Sequence, residues 1–404
     1  MAVSIEEALK IIYQKTLKKT IKILPIEQVN GYVLAEDIIA IHNLPPYDNS
    51  AMDGYAVCLN DAGSCVQVHH TIFAGDNSDF TLEIGSAIKI MTGAKIPKNT
   101  ECIVPIEDTK ECTKGVILPT KLKPHNHIRL CGEDIKQDTL LLQKGQRLQT
   151  HQITLLASQG ISHVKVYKKP RVALFASGNE LKMHFEKVEK YQLYNTNTPT
   201  LQERVQELGC EVDFIGTAKD TLEDITQHIQ SALDSDLIIT SGGVSVGDAD
   251  FTKEAFGAFG YEIYFDKIEI KPGKPTTFGR IGDKLILNLP GNPLAAALNF
   301  ELFGQSIILA MSGDSAPYIN TIHAKVQGEI KIKKGRDTLV PGYFNGEYFE
   351  AIKNFAPGMV SPLAKSNSYI IINKECDGYT QDDNVKIIPT NFRFTTHQQT
   401  SIKS

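Results

Sequence analysis

The chain has 404 residues, of which 42% are hydrophobic and 22% charged, and this length suits two to four domains of about 150 residues each. Lysine and arginine total 42 against 47 aspartates and glutamates, so the net charge of −5 argues against a nucleic-acid-binding protein that depends on overall basic charge. No stretch approaches the roughly 18 consecutive apolar residues of a membrane span, and no signal peptide is recognisable. We therefore expect a cytoplasmic protein that binds neither membranes nor nucleic acids.

The cysteines are odd in number and scattered, and no two have the CxxC spacing of a zinc site. This pattern predicts reduced thiols rather than a disulfide framework. His125 and His127 lie close to Cys131 and leave a metal site open as an alternative, although no fourth ligand is evident and short polar loops commonly carry such residues. The seven cysteines are Cys58, Cys65, Cys102, Cys112, Cys131, Cys210 and Cys376.

The opening segment has the pattern of an amphipathic helix. Ser4 and Glu7 have the spacing of a capping box, and Ile5, Ala8 and Ile12 fall on one face. After this helix, short β-like runs separated by Gly, Pro, Asn and Asp predict a β-rich module. These runs cover residues 65–69, 87–91, 103–106 and 115–118. A second helical pattern covers residues 150–159, and a β-like run follows at 164–167.

After Pro170, β-like and helical patterns alternate, which predicts a mostly parallel sheet with helices on both faces. The first run is continuously apolar, as is typical of a strand buried on both faces. Thr198 and Pro199 predict the start of the next helix, because a cap followed by proline is a favoured order. The predicted strands are 172–176, 212–215, 237–240, 276–280 and 285–289. The later predicted helices are 222–233, 251–259 and 293–309.

Beyond Pro317 the pattern is β-like again. Asn345 and Gly346 stand between two arms that carry aromatic residues, which predicts a β-hairpin over 343–349. We expect a small separate β domain here, followed by a disordered tail from residue 395.

Polar and glycine-rich loops follow the predicted parallel strands. In an open α/β sheet, ligands bind beyond the carboxyl ends of the strands. Four loops are therefore expected to meet at one edge, and each is glycine-rich or carries a carboxylate. They cover residues 177–180, 219–220, 241–250 and 290–293.

The glycines of the third loop, Gly242, Gly243 and Gly247, allow the backbone to approach a ligand and to direct N–H groups at an anion. The loop is not a P-loop, because Asp248 replaces the required lysine, and its spacing is not the dinucleotide fingerprint. One alternative is a tight turn with Asp248 or Asp250 as a helix cap. Two aspartates and a serine in one glycine loop favour instead a phosphate site with a divalent cation such as Mg²⁺.

Two prolines and Gly273 constrain the segment that carries Lys271 and Lys274, and Lys267 lies shortly before it. Lysine binds phosphate and other oxyanions as a point charge. The alternative is a solvated basic loop, but the position directly after the glycine loop favours an oxyanion site. Residues 44–57, 91–94 and 132–135, by contrast, have the composition of structured loops and turns.

Seven motifs together closely resemble the MoeA family of molybdopterin molybdenumtransferases, which is related to the E domains of gephyrin and of its plant counterpart. The motifs are long, occur in the family's order and are spread over residues 45–296. They are PPYDNSAMDGYAV (45–57), IMTGAKIP (90–97), GEDI (132–135), SGNEL (177–181), TSGGVSVGDADF (240–251), IKPGKPTTFG (270–279) and LPGNPLAA (289–296).

This resemblance implies an α/β multidomain fold whose central, mostly parallel α/β sheet domain of the molybdopterin-binding type covers residues 171–315. It also implies a β-rich insertion domain at 45–138, an N-terminal helical linking domain at 1–44 plus 139–170, and a small C-terminal β-barrel domain at 316–394. Residues 395–404 form the tail. The family further implies an elongated homodimer in which the α/β domain of one subunit faces the insertion of the other.

The implied reaction is Mg²⁺-dependent: adenylylated molybdopterin and molybdate give molybdenum cofactor and AMP. The implied partners are the molybdopterin adenylyltransferase and downstream molybdoenzyme chaperones. The alternative is a non-catalytic molybdopterin-binding carrier or scaffold of the same fold. A second alternative, the adenylyltransferase itself, lacks the insertion and the terminal β domain and is therefore disfavoured.

Matching the family's motifs residue by residue implies roles for three sets of side chains. The implied catalytic residues are Asp250, Lys271, Lys274, Asp53 and Glu180. The implied substrate-binding residues are Gly242, Gly243, Ser245, Gly247, Asp220, Lys267, Pro290, Pro293, Thr92 and Asp134. The implied metal ligands are Asp250, Asp248 and Glu180. The sequence departs from the family at Asn179, where an acid is common, and at Cys131, where arginine is frequent.

Overall fold

The structure is a computed structural model that describes residues 2–17, 19–76, 79–243 and 251–390. The predicted tail lies outside the described residues, and so do Ser245, Gly247, Asp248 and Asp250. The described part comprises a linking region, a β-rich insertion, a central α/β sheet and a C-terminal barrel.

The first helix, Ile5–Lys15, begins with the predicted capping box. The Glu7 N–H donates to Ser4 Oγ at 3.1 Å, and the Ser4 N–H donates to Glu7 Oε2 at 2.9 Å. Two backbone N–H groups at the helix start are thereby satisfied. The buried face includes Ala8 and Ile12, which belong to the hydrophobic core of the central sheet.

Beyond the first helix, the described part of the linking region contains two antiparallel strand pairs and a second helix. Ile21–Pro25 pairs with His163–Tyr167, and Ile38–Ile39 pairs with Leu140–Leu142. The helix, Thr150–Ser158, corresponds to the predicted second helix and shares a core with both pairs. Two further short elements are the 3₁₀ helix Ile26–Gln28 and the strand Ala2–Val3, which pairs with Lys267–Ile268.

The insertion is built around a six-stranded sheet, and all four β-like runs predicted in it are strands of this sheet. In sheet order the strands are Cys102–Pro105, Gly54–Val57, Ser86–Ile90, Cys65–Ile72, Gly115–Ile117 and Lys110–Cys112. The smaller elements are the pair Asn49–Ser50 with Ile128–Arg129 and the 3₁₀ helices Leu59–Asp61 and Ile106–Asp108.

A disulfide joins Cys65 and Cys112 in this sheet, so the prediction of reduced thiols is wrong for these two residues. The strand order explains the pairing. Cys65 lies opposite Ile117 and Cys112 lies opposite Gly115, so one short strand brings together cysteines that are 47 positions apart. Local spacing in the sequence does not reveal such a pair. The remaining cysteines are free: Cys58, Cys102, Cys131, Cys210 and Cys376.

The central sheet confirms the predicted mostly parallel arrangement. Its strands are Arg171–Ser177 (β1), Glu211–Ala218 (β2), Leu237–Ser241 (β3), Glu262–Phe265 (β4), Thr277–Ile281 (β5) and Lys284–Leu289 (β6). Their order across the sheet is β2-β1-β3-β6-β5-β4. The first four in this order run parallel, and β5 and β4 continue the sheet antiparallel.

Both faces of the central sheet are covered, which explains the unbroken apolar runs in the sequence. Along β1, Val172 and Leu174 enter one core, whereas Ala173 and Phe175 enter the other, because successive side chains of a strand point to opposite faces. The covering helices are Asn197–Glu207, Leu222–Ala232, Phe251–Ala258, Pro293–Asn299 and Gln305–Met311, the last two joined by the π-helical turn Phe300–Gly304.

The helix after β1 begins at Asn197, so the predicted start at Thr198-Pro199 is wrong. The Thr198 N–H donates to Asn195 Oδ1 at 3.1 Å. A side chain two residues upstream of the helix therefore satisfies one of its N-terminal N–H groups, and Thr198 itself is buried.

The continuous helical segment Pro293–Met311 is long and apolar enough to cross a membrane by length and composition. Within this protein, however, 78% of it is buried. This is the property of a core helix that packs on the sheet of its own domain.

The C-terminal region forms a closed barrel. The strand Asp337–Phe344 pairs with both Tyr348–Ala351 and Ser368–Ile372, which closes the ring. Phe344 lies opposite Phe349 across the Asn345-Gly346 turn, which confirms the predicted hairpin. The remaining elements are the strands Ile322–Val326, Asn384–Pro389 and Ile270–Lys271, the pair Ile330–Lys331 with Gly378–Tyr379, and the helix Ser361–Ala364.

Candidate functional site

A cleft of about 990 Å³ lies at the carboxyl ends of β1, β3 and β6. The four loops predicted to meet at this edge all contribute to its lining. Of the residues singled out from the sequence, those in the lining are Glu180, Asp220, Gly242, Gly243, Pro290 and Pro293. The cleft therefore combines two carboxylates, a glycine-rich backbone segment and a proline-rich turn.

Glu180 and Asp220 lie on different loops but line the same cleft. Asn179, the neighbour of Glu180, hydrogen-bonds directly to Asp220. The Asn179 N–H donates to Asp220 Oδ2 at 3.2 Å, and the Asp220 N–H donates to Asn179 Oδ1 at 3.1 Å. Asn179 thus joins the loops after β1 and β2. An amide side chain performs this task without adding a third negative charge.

The glycine at the end of β3 is required by its surroundings. Gly242 has φ +97°, and a Cβ built on it would lie 2.5 Å from the carbonyl oxygen of Ser177. The same backbone lies against Gly291, because a Cβ on Gly291 would be 3.4 Å from Gly242 Cα. The two loops therefore approach closely at Gly242, whose own N–H donates to the carbonyl oxygen of Leu289 at 3.2 Å.

Asn197, which the sequence analysis missed, ties these two loops together. Its Nδ2 donates to Ser241 Oγ at 2.7 Å and to the carbonyl oxygen of Gly291 at 2.8 Å. Ser241 Oγ in turn donates to the carbonyl oxygen of Pro290 at 3.1 Å. Asn197 is the first residue of its helix, and its local sequence carries no signal of these contacts with distant loops.

Residues of the C-terminal region form one wall of the cleft, which the sequence analysis also missed. Gly358 and Val360 line it, and the carbonyl oxygen of Pro357 accepts from the Leu294 N–H at 3.0 Å. The opposite rim includes Leu193 and Tyr194, a two-residue strand that pairs with Leu181–Lys182.

The lysine loop, residues 271–275, ends at the rim of the cleft. Pro275 lines the cleft, while the Lys271 and Lys274 side chains are solvent-exposed and lie outside its lining. Lys271 also ends a short strand that pairs with the C-terminal barrel opposite Thr338, and Lys267 pairs with Ala2. The loop is thus held between the central sheet, the N-terminus and the barrel.

Asp53 and Thr92 form a tight contact in the insertion. Both the backbone N–H and the hydroxyl of Thr92 donate to Asp53 Oδ1, each at 2.8 Å. These two bonds, the backbone one first, lower the pKa of Asp53 below the usual range of aspartate. Asp134 is exposed and donates its N–H to the carbonyl oxygen of Leu44. None of these three residues lines the cleft of its own chain.

The cleft carboxylates fit a cation that shares its coordination with a substrate. Within residues 2–17, 19–76, 79–243 and 251–390, no three His, Cys, Asp or Glu side chains cluster as a metal site. Glu180 and Asp220 nevertheless provide hard oxygen donors in the cleft. Mg²⁺ is typically bound by one or two carboxylates together with substrate phosphates, so this donor set is suitable for it.

The comparisons with known proteins agree along the whole chain. Residues 3–160 match the MoeA N-terminal region (domain I and II), and residues 323–390 match the MoeA C-terminal region (domain IV). Residues 173–310 match a family described as "probable molybdopterin binding domain". The fold and the cleft at the carboxyl edge of its sheet therefore define a molybdopterin-binding α/β domain within a MoeA-type arrangement.

Individual relatives support the same assignment. The chain is 34% identical over 379 residues to the molybdopterin molybdenumtransferase of Haemophilus influenzae, which covers 91% of this chain and 93% of the relative. It is 30% identical over 410 residues to the enzyme of that name from Staphylococcus epidermidis, with 96% of both chains covered. A crystal structure of the Pyrococcus horikoshii MoeA protein superposes with a TM-score of 0.82 at 28% identity, covering 97% of this chain and 100% of that one. This chain belongs to the MoeA family, the molybdopterin molybdenumtransferases of molybdenum cofactor biosynthesis.

Proposed function

We propose that this protein inserts molybdate into adenylylated molybdopterin in a Mg²⁺-dependent reaction that releases AMP and yields molybdenum cofactor. The observation that carries this proposal is the cleft in which Glu180 and Asp220 face the glycine backbone of residues 242–243 and the turn at 290–293. Carboxylates, backbone N–H groups and nearby lysines form the set of groups that a charged nucleotide–pterin substrate and an oxyanion require.

The phosphate end of the substrate would occupy the floor of the cleft. Gly242 and Gly243 line the cleft and would present backbone without side chains to the phosphate, and Asn197 ties the turn at 290–293 to Ser241 beside them. Glu180, Asp248 and Asp250 would hold Mg²⁺, and Asp220, which lines the same cleft as Glu180, is a further oxygen donor. When bound, Mg²⁺ neutralises phosphate charge and polarises the bond that is cleaved.

The lysines are proposed to hold oxyanions. Lys271 and Lys274 are exposed cations on a constrained loop at the cleft rim, and Lys267 is close to them in sequence. Exchange of oxo ligands for two sulfurs releases water and consumes protons, which a lysine or an aspartate would supply. An unchanged pH–rate profile after replacement of Lys271 would exclude that residue as the proton source.

We further propose a homodimer in which the partner's insertion completes the cleft. Three residues of the motifs in the insertion do not line the cleft of their own chain: Asp53, Thr92 and Asp134. This supports their contributing to the cleft of the partner subunit. Mixing Asp53→Asn with Glu180→Gln protein tests this arrangement. If each site uses both chains, an equal mixture recovers about a quarter of wild-type activity, because half of the dimers are mixed and each has one intact site. No recovery would contradict a shared site.

The reaction itself is tested by AMP release from adenylylated molybdopterin with Mg²⁺, with and without molybdate. We expect molybdate-dependent release by the wild type, and loss of it in Asp250→Ala and in Glu180→Gln. Glu375→Gln, which removes an exposed carboxylate far along the chain in the C-terminal region, is the matched control and should retain activity. Binding of the adenylylated pterin without any AMP release would favour the carrier or scaffold function instead.

The cellular setting is part of the same proposal. The substrate is the product of an adenylyl transfer, so the molybdopterin adenylyltransferase would supply it. Molybdoenzyme chaperones would receive the cofactor, in the cytoplasm.

A further inference from the structure

A buried amide side chain lies directly behind the lysine loop. Asn299 is 0% exposed and belongs to the helix Pro293–Asn299, between apolar neighbours. Its Nδ2 donates to the carbonyl oxygen of Pro272 at 3.1 Å and to that of Ala295 at 2.7 Å. Its Oδ1 accepts from Thr276 Oγ1 at 3.1 Å. Two of its three partners are therefore Pro272 of the lysine loop and Thr276, which directly follows the loop.

The loop rests on this amide without any intervening side chain. Gly273 has φ +115°, and a Cβ built on it would lie 1.9 Å from Asn299 Nδ2. The Thr276 hydroxyl also lies 2.9 Å from the carbonyl oxygen of Gly273, so its hydrogen bond is shared between the loop and the amide. On the other side, the Ile268 N–H donates to the carbonyl oxygen of Lys274 at 2.9 Å. The backbone that carries both lysines is thus fixed on two sides.

A row of polar side chains continues from the loop to the floor of the cleft. Thr277 Oγ1 accepts from Asn288 Nδ2 at 2.7 Å, and Asn288 Oδ1 accepts from Thr240 Oγ1 at 2.8 Å. These residues lie opposite one another on β5, β6 and β3. Ser241, the next residue of β3, lines the cleft. Buried polar groups of this kind are costly unless every partner is present, so the row specifies one arrangement of the strands.

We propose that Asn299 and Thr276 are positioning residues that fix Lys271 and Lys274 relative to the cleft. The hydrogen-bonded row of Thr277, Asn288 and Thr240 keeps the lysine loop and the floor of the cleft in a fixed relative position. Neither Asn299 nor Thr276 touches substrate; each acts on the lysines through backbone carbonyl groups of their loop. This inference rests on the proposed function, since it assigns the loop the task of placing cations for an oxyanion substrate. Preorganised charges bind an oxyanion without reorganisation, which is why the geometry of the loop matters.

The variants Thr276→Val, which is isosteric with threonine, and Thr276→Ser test the proposal together with Asn299→Leu. Thr276→Val keeps the shape of the side chain but removes the hydroxyl, whereas Thr276→Ser restores it. Ser306→Ala is the control, because Ser306 is also fully buried and hydrogen-bonded but contacts Tyr13 and Leu302 rather than the lysine loop. Two quantities are measured: the KM values for molybdate and adenylylated molybdopterin alongside kcat, and amide hydrogen exchange in peptides that cover residues 268–276.

We expect Thr276→Val and Asn299→Leu to raise the KM for at least one of the two substrates about fivefold or more, with kcat changed by less than about threefold. Exchange within 268–276 should accelerate in both variants, and Thr276→Ser should restore both readouts. Ser306→Ala should lower the denaturation midpoint while leaving KM and loop exchange unchanged. Wild-type KM and wild-type exchange in Thr276→Val would overturn the proposal.

The two measurements distinguish a failure of the proposed function from a failure of the positioning role. A wild-type protein that releases no AMP contradicts the transferase reaction, but the exchange measurement still decides whether the amide fixes the loop. Unchanged exchange in a catalytically active Thr276→Val protein whose KM is also unchanged contradicts the positioning role alone.

Discussion

Asn179 and Asp220 exchange two backbone–side-chain hydrogen bonds, at 3.2 and 3.1 Å, beside the cleft that Asp220 lines. This reciprocal pair joins the loops that follow β1 and β2. Asp220 lines the cleft, and one oxygen of its carboxylate accepts from the N–H of the neighbouring loop. Asn179, which does not line the cleft itself, thus takes part in the architecture of the site.

Asn179→Ala should reduce AMP release about tenfold or more, because it removes the acceptor of the Asp220 N–H and with it one of the two hydrogen bonds that hold the loop carrying Glu180. Asn179→Asp keeps an oxygen acceptor in the same place and should retain most of the activity. The measurement is the initial rate of AMP release at saturating molybdate and Mg²⁺. Equal rates for Asn179→Ala and the wild type would show that the hydrogen bond from the Asp220 N–H to the Asn179 side chain does not position the site.

Thr92→Val should raise the pKa of Asp53 part of the way towards the usual value of aspartate. The hydroxyl bond is lost, but the Thr92 backbone N–H, which is the larger cause of the lowered pKa, remains. A lowered pKa means that the carboxylate form is stabilised in the folded protein. That stabilisation is present above the ordinary pKa of aspartate and is lost as the pH falls through the lowered pKa of Asp53.

The titration is followed by carbon NMR of labelled aspartate carboxyl groups. Asp383 is the internal control, because the N–H and hydroxyl of Thr380 lower its pKa in the same way in the C-terminal region. Its titration should be identical in the wild type and in Thr92→Val. A wild-type titration of Asp53 in the variant would contradict a contribution from the hydroxyl.

The parts of this fold that depend on local pattern could be predicted from the sequence. Ser4 and Glu7 predict a helix start because a capping box is formed within four residues. The apolar run at 172–176 predicts a strand buried on both faces, and alternation with helices then predicts that the loops after the strands share one edge. The position of the cleft follows from these two regularities.

Contacts between distant segments could not be predicted in this way. Asn299 contacts Pro272 and Thr276 because a core helix packs behind the lysine loop, and its sequence neighbours indicate only an apolar helix. The wall formed by Gly358 and Val360 depends on how the barrel docks on the sheet. The roles of the matched site residues were implied by family motifs, since distances between side chains are not encoded in local spacing.

Reduction of the Cys65–Cys112 disulfide should destabilise the insertion. A crosslink between residues 47 positions apart restricts the unfolded chain, and its loss costs about 2–4 kcal/mol in the free energy of unfolding. Urea denaturation with and without dithiothreitol measures the difference. Cys65→Ser/Cys112→Ser should have the stability of the reduced wild type and should not respond to the reductant. A wild-type midpoint that dithiothreitol leaves unchanged would contradict the prediction.

Arg204→Met should lower the free energy of unfolding by about 3–5 kcal/mol, because it leaves Glu301 buried without its partner. Arg204 Nε and Nη2 donate to the two carboxylate oxygens of Glu301 at 2.7 and 3.1 Å, and Glu301 is 7% exposed. Glu301→Leu should cost less, since Arg204 still pairs with Glu207 at 2.6 Å. The double variant should recover most of the loss, as a double-mutant cycle in urea will measure.

The loss in Arg204→Met should also depend on pH. Burial already raises the pKa of Glu301, and the arginine opposes that rise, so its removal raises the pKa further. A carboxyl with a raised pKa favours the folded state most below its unfolded pKa and loses that contribution as the pH rises through the folded value. The difference between Arg204→Met and the wild type should therefore be smaller at pH 5 than at about pH 8. Glu301→Leu, which has no carboxyl at this position, should not share this trend, and a pH-independent loss in Arg204→Met would show that the ion pair is not its cause.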